Sequence, residues 1–200
     1  MMTAKNHLKK VDSILFKVVE EMEEIEERVA KESEEELFEE LVESIVSQQL
    51  SVKASDTIFG RIKDLLRSKK ISPKSILKLN GEMLRGAGLS NAKVKYVKDL
   101  ALKVNSKEIE LENLKDLDDE DVINELVRVK GIGRWTAEMF LMFSLGRPDI
   151  FSLGDLGLRN AIKKLYNLEK PTDIEILAIS EKWSPHRTYA CRILWRSLKK

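Results

Sequence analysis

The sequence has almost no cysteine: Cys191 is the only one in 200 residues. A single thiol excludes an internal disulfide, a zinc site built on several cysteines and an iron–sulfur cluster. Histidine is nearly as scarce, with only His7 and His186. His7 sits in what reads as a loose tail, and the pair offers no partners for a His-based triad or a metal site. No run of eighteen apolar residues occurs, so no membrane-spanning helix is expected. The opening residues, MMTAKNHLKKVDS, lack the apolar centre of a secretory signal. A soluble, cytoplasmic protein without membrane contact is therefore expected. Sustained period-2 alternation is missing too, which predicts an all-α fold. Glutamine occurs only as the adjacent pair Gln48 and Gln49.

Charge is abundant but unevenly placed. Glu20–Glu43 holds 13 Glu against Arg28 and Lys31, a balance of −11 in a chain of net charge +1. The remainder therefore carries +12, which suits a polyanionic partner. A solvated acidic helix face accounts for the same numbers.

The apolar residues recur at helical spacing. Val11, Ile14, Leu15, Val18, Val19, Met22, Ile25 and Val29 predict one long amphipathic helix. Ser33 with Glu36 has capping-box spacing and opens a second helix. Val52 to Leu66 forms a third stripe, and Ser72-Pro73 starts a short fourth helix. RGAGLSNAK reads as a glycine turn around Gly86–Gly88 followed by a helix from Ser90. Asp118 or Asp119 begins a helix ending near Val129. Trp135 to Leu145 is apolar enough to be buried. Further helices are expected over Leu156–Tyr166, after a Thr172–Glu175 box, and from Ser184-Pro185 onward.

LVRVKGIGRWTAEMF reads as helix, tight hairpin, helix. Gly131 and Gly133 permit positive φ and close backbone approach. Amides at the start of the second helix, with the positive end of its dipole behind them, suit a phosphate. Lys130 and Arg134 add full charges. A plain turn is the other reading. Asp155, just after Gly154, has the position of a helix N-cap.

The stretches LVRVKGIGRWTA, PDIFSLGDLGLRNAI and KWSPHRTYACRILW, with ESIVSQQLSVKAS and GLSNAKVKYVKDLA, resemble the helix-hairpin-helix DNA glycosylase superfamily. Within it the chain is similar to the alkyl-base branch, 3-methyladenine DNA glycosylase II. The resemblance covers Leu37 to Leu198. It implies two helical subdomains flanking a cleft, residues 1–36 with 146–200 and residues 37–145, the hairpin motif lying at about 118–145. It implies a monomeric enzyme of base excision repair that binds damaged double-stranded DNA, flips an alkylated base and hydrolyses its N-glycosidic bond.

Residue roles follow from the resemblance alone. Asp155 matches the catalytic aspartate, a role compatible with capping. Trp135 stands where strand-cleaving members carry a Schiff-base lysine, which implies no lyase activity. Trp135 also reads as base-pocket lining or as a core residue beneath the hairpin. Trp195 matches an aromatic floor for a cationic base. Met139 stands near that pocket, where some relatives have Tyr, and Phe151 borders the site. Gln49 matches the side chain that fills the gap left by the flipped base. Gln48 and Leu50 are its alternates, and surface amides in a turn are the other reading. Lys130, Gly131, Gly133, Arg134, Gly88 and Lys93 are expected at phosphates, together with some of Lys95, Lys98, Arg187 and Arg192. The resemblance requires no cofactor. It admits a monovalent cation on the carbonyls of Val127, Val129 and Ile132. Two rivals stand: a glycosylase for hypoxanthine, uracil or an oxidised purine, and a non-enzymatic hairpin module that only holds DNA.

Overall fold

A computed structural model describes residues 3–22, 25, 29–31, 33–66 and 70–198. Among these residues the regular structure is entirely helical. In order they are α1 (Ala4–Val11), α2 (Ser13–Glu20), α3 (Glu34–Ser47), α4 (Val52–Leu65), α5 (Pro73–Lys78), α6 (Gly81–Ala87) and α7 (Asn91–Asn105). A 3₁₀ turn over Leu111–Asp116 follows, and then α8 (Asp119–Leu126), α9 (Arg134–Phe143), α10 (Leu156–Leu165), α11 (Asp173–Glu181) and α12 (Arg187–Ser197). The chain divides into two compact units, Ala30–Leu145 and a discontinuous one of Met1–Val29 with Gly146–Lys200.

The continuous unit is built around α3. Leu37, Phe38, Leu41, Val42, Ile45 and Val46 are all buried, a spacing that fills the helix face turned to α4, α7 and α9. Each buried side chain contributes about 1.5–3 kcal/mol. Ordering the backbone costs about 1–2 kcal/mol per residue, so packing, rather than propensity, holds α3 in place. Ser33 Oγ accepts from Glu36 N at 3.2 Å and caps its start, where Glu34, Glu35 and Glu36 meet the positive end of the dipole. Two lysines of α7 close other helices. Lys98 Nζ donates to the carbonyls of Ile76, Leu77 and Leu79 at the end of α5, and Lys93 does the same for α3.

The discontinuous unit is joined by Asp12. Its backbone breaks the predicted first helix, and α2 starts at Ser13 with Asp12 Oδ1 accepting from Leu15 N at 3.0 Å. Asp12 Oδ2 accepts from Trp183 Nε1 at 2.8 Å and from the Tyr166 hydroxyl. Burial and the Asp12 carboxylate both push the Tyr166 hydroxyl far above its ordinary range, so it stays a donor. His7 is no loose tail: it lies in α1, 3.2 Å from the Lys182 carbonyl and edge-on to His186.

Several expected elements differ. The long N-terminal helix ends at Glu20. Val29 is exposed rather than part of a stripe. The rest of that expected helix, residues 23, 24 and 26–28, lies outside the described residues. Val52 is exposed in the first turn of α4. The last helix begins at Arg187, with His186 at its N-cap, and not at Ser184-Pro185. Helix α6 and the 3₁₀ turn were not expected, being too short to show a period.

Candidate active site

Asp155 sits at the N-cap of α10 and is 8% exposed. Its Oδ1 accepts from Leu158 N at 2.7 Å and from Trp195 Nε1 at 3.0 Å. One oxygen thus closes the helix and ties it to the indole of α12. Gly157 makes room for this pair. A Cβ there would lie 3.0 Å from Asp155 Oδ1 and 3.3 Å from Trp195 Cδ1. Two N–H donors and the start of a helix converge on that one oxygen. Trp195, half-buried, therefore holds the acid in place as well as presenting an aromatic face. Phe151 lies in the same unit, edge-on to the buried Trp183 at 6.0 Å. Cys191 is buried, its thiol facing the Ile150 carbonyl, and burial pushes that thiol far above the usual range, which makes it a core residue rather than a nucleophile.

In the continuous unit α3 ends at Ser47 and α4 begins at Val52, leaving a four-residue turn of Gln48 to Ser51. Gln49 is exposed at φ +58°, a left-handed conformation uncommon outside glycine. Gln48 points elsewhere: its Nε2 donates to the Gly131 carbonyl at 2.8 Å. Lys93, expected at a phosphate, instead places Nζ on the carbonyls of Val46 and Gln48 at 2.8 and 2.6 Å. Burial holds its ammonium below the usual lysine range, and the carbonyls at the negative end of α3 supply its partners. Leu50 is 39% exposed beside Gln49.

The hairpin between α8 and α9 turns on Gly131, at φ +86°. A Cβ there would lie 2.2 Å from the Tyr96 ring, so the close approach admits only glycine. Gly133 is the N-cap of α9, at φ −98°, and no side chain caps that helix. Lys130 N donates to Asp99 Oδ2 at 2.9 Å, while its ammonium is 74% exposed. The Arg134 guanidinium bonds Glu120 and reaches Glu138 Oε1 at 3.0 Å. Gly88, φ +116°, closes α6. The carbonyl of Val129 accepts Ile132 N at 3.1 Å. A second lone pair remains on that oxygen.

Trp135 occupies the first turn of α9 and is 48% exposed, which overturns the reading of a core tryptophan. Met139, one turn on, lines a hollow of about 240 Å³ with Glu40, Glu43, Ser44, Phe140 and Phe143. Burial, and then the Glu40 charge, pushes the Glu43 carboxyl above its ordinary value. Arg187, expected near DNA, forms a two-point pair with Asp149 at 2.8 and 3.0 Å.

A family profile described as HhH-GPD superfamily base excision DNA repair protein matches residues 42–186. The chain belongs to this superfamily. The matched stretch of this superfamily member holds the glutamine turn, the hairpin, Trp135 and Asp155; Trp195 lies beyond it. DNA-3-methyladenine glycosylase 1 of Schizosaccharomyces pombe is 38% identical over 165 residues, 81% of this chain and 72% of that protein. A putative DNA-3-methyladenine glycosylase of Bacillus subtilis is 34% identical over 80% of the chain, which spans only 58% of that relative. A solved Schizosaccharomyces pombe 3-methyladenine DNA glycosylase in complex with abasic DNA superposes with a TM-score of 0.81 at 36% identity, covering 98% of this chain and 97% of the other. Among the described residues no helix is long and apolar enough to cross a membrane.

The sequence did not disclose the Trp195–Asp155 bond, the Gln48–Gly131 bond or the Asp12 junction. Asp12 carried one signal, an Asp-Ser pair between the apolar residues Val11 and Ile14 that suits a helix start. The other two join residues 40 and 83 positions apart, and no local pattern reports them.

Proposed function

We propose that this protein is a monofunctional DNA glycosylase. It takes an alkylated base of the 3-methyladenine or 7-methylguanine type out of duplex DNA and hydrolyses the N-glycosidic bond, leaving an abasic site. The observation that carries the reading is the Asp155 carboxylate, buried and bonded through one oxygen to Leu158 N and Trp195 Nε1. The names of the relatives support the substrate class.

As the bond to the base lengthens, positive charge gathers at C1′ of the sugar. A fixed carboxylate about 3.5 Å away, at an effective dielectric near 20, attracts it by roughly 4–5 kcal/mol. That is on the order of a thousandfold in rate. The donors on Oδ1 hold the charge in place before reaction, so little reorganisation is needed. The same carboxylate orients the attacking water, whose oxygen bonds to C1′ while the base departs with the bonding pair; the proton that the water sheds passes to the carboxylate and then to solvent. A cationic alkylpurine leaves readily as a neutral base. The indole face of Trp195 suits such a cation.

Trp135 cannot form an imine, so strand cleavage is no part of the proposed reaction. Lys130 and the uncapped amides of α9 would hold a phosphate. Gln49 would fill the stack, flanked by Leu50. The reaction needs only water. A monovalent cation on the Val127, Val129 and Ile132 carbonyls would steady the hairpin. The enzyme would act as a monomer, inside the cell.

Asp155→Asn, in single-turnover assays on duplexes carrying 3-methyladenine, 7-methylguanine, hypoxanthine, uracil or 8-oxoguanine, is the test. The expected result is excision of the alkylated bases by the native protein and none by the variant. Affinity for undamaged duplex should stay within a few-fold, and borohydride should trap no covalent adduct. A fully active variant would remove Asp155 from catalysis. A native protein inactive on all five substrates would favour a module that only binds DNA.

A further inference from the structure

The glutamine turn and the hairpin are far apart in sequence, yet two side chains join them within one unit. Gln48 Nε2 donates to the Gly131 carbonyl at 2.8 Å. Lys93 Nζ donates to the Gln48 carbonyl at 2.6 Å and to the Val46 carbonyl at 2.8 Å. Gln48 is therefore gripped at both ends: its side chain by the hairpin, its backbone by α7. The next residue, Gln49, stands exposed at φ +58°. A non-glycine residue in that conformation costs about 1 kcal/mol or more and persists only where its surroundings impose it. Here the imposing groups are identifiable. They are the Lys93 ammonium on one side and the Gly131 carbonyl on the other, with Gly131 itself fixed by its approach to the Tyr96 ring.

We infer that Gln48 and Lys93 are positioning residues that couple the hairpin to the stack-filling side chain. They hold Gln49 in its strained, projecting conformation whenever the hairpin is seated. Gln48 itself does not enter the DNA. The inference rests on the proposed role of Gln49. On that basis, a phosphate gripped by the hairpin and the gap filled by Gln49 belong to one rigid piece. The hairpin is thus a ruler that sets where along the duplex the base is replaced.

A double-mutant cycle on the full chain tests it. Gln48→Glu keeps the shape but sets an acceptor against the Gly131 carbonyl. Single-turnover excision of 7-methylguanine from duplex should slow roughly ten- to a hundredfold. Gln49→Gly should also slow it. The double variant should be no slower than Gln49→Gly, within about twofold, because Gln48 acts only through Gln49. A role in folding alone would instead lower the melting temperature and multiply the two losses. Multiplied losses, or a Gln48→Glu rate equal to the native one, would overturn the coupling while leaving Gln49 in its role. A native rate in Gln49→Gly would overturn both. Should Gln48→Glu not fold, Gln48→Met, which only removes the donor, takes its place in the same cycle.

Discussion

Asp155 and Trp195 share a hydrogen bond whose loss can be separated from the loss of the ring. Trp195→Phe keeps an aromatic face and removes the Nε1 donor that meets Oδ1 at 3.0 Å. Removing a donor from a buried carboxylate costs about 1.5–3 kcal/mol. If the bond serves chemistry, that cost appears in the transition state. The expected outcome is a fall in kcat of roughly ten- to a hundredfold with KM little changed. If Trp195 serves only as a floor for the base, KM rises instead. Single-turnover and steady-state rates on one 7-methylguanine duplex distinguish the two. Gly157→Ala should give a milder version of the same defect, because its Cβ would press on both members of the pair.

At the scale of elements, the two glycines of the hairpin are unequal despite their shared motif. Gly131 has φ +86° and faces the Tyr96 ring, whereas Gly133 has φ −98° and open space around the position of a Cβ. Gly131→Ala must therefore both strain the backbone and displace a ring. A loss of about 2–4 kcal/mol is expected. Gly133→Ala is expected to change stability by less than about 1 kcal/mol, since the cap needs neither a positive φ nor the space. Chemical denaturation of both variants checks the contrast, and equal losses would contradict the geometry. The helix ends elsewhere obey short-range rules. Ser33, Ser72, Ser90 and Thr172 each accept from the amide three residues on. That is why the starts of α3, α5, α7 and α11 were legible in advance. The ends of α3 and α5 were not, because lysines from a distant helix close them.

At the scale of the whole molecule, one unit is assembled from both ends of the chain, and Asp12 lies where they meet. Its carboxylate receives Leu15 N, Trp183 Nε1 and the Tyr166 hydroxyl. Asp12→Ala leaves the buried Trp183 Nε1, the half-buried Tyr166 hydroxyl and one helix start without that acceptor. The expected cost is about 3 kcal/mol or more, read as a fall in melting temperature of roughly 6–12 °C for a chain of this size. Asp12→Asn retains an acceptor and should lose less. An unchanged melting temperature in Asp12→Ala would show that the junction is held by apolar packing alone.

The sequence by itself determined the all-α class and the starts of several helices, because the 3.6-residue period and the caps are local. The motif order in ESIVSQQLSVKAS, KGIGRWTA and FSLGDLGLRNAI placed the chain in its superfamily. It also marked Asp155 and the hairpin as the residues to examine. Gly131 was legible as a turn, but the reason it admits no side chain is Tyr96, a ring from another helix. Lys93 read as a phosphate contact because charge alone does not say which carbonyls lie within its reach. The break at Asp12, the bond from Trp195 to Asp155 and the grip of Gln48 on Gly131 were decided only by the tertiary structure. Each joins groups many residues apart, and a hydrogen bond depends on distance and direction in space, which a linear pattern does not record.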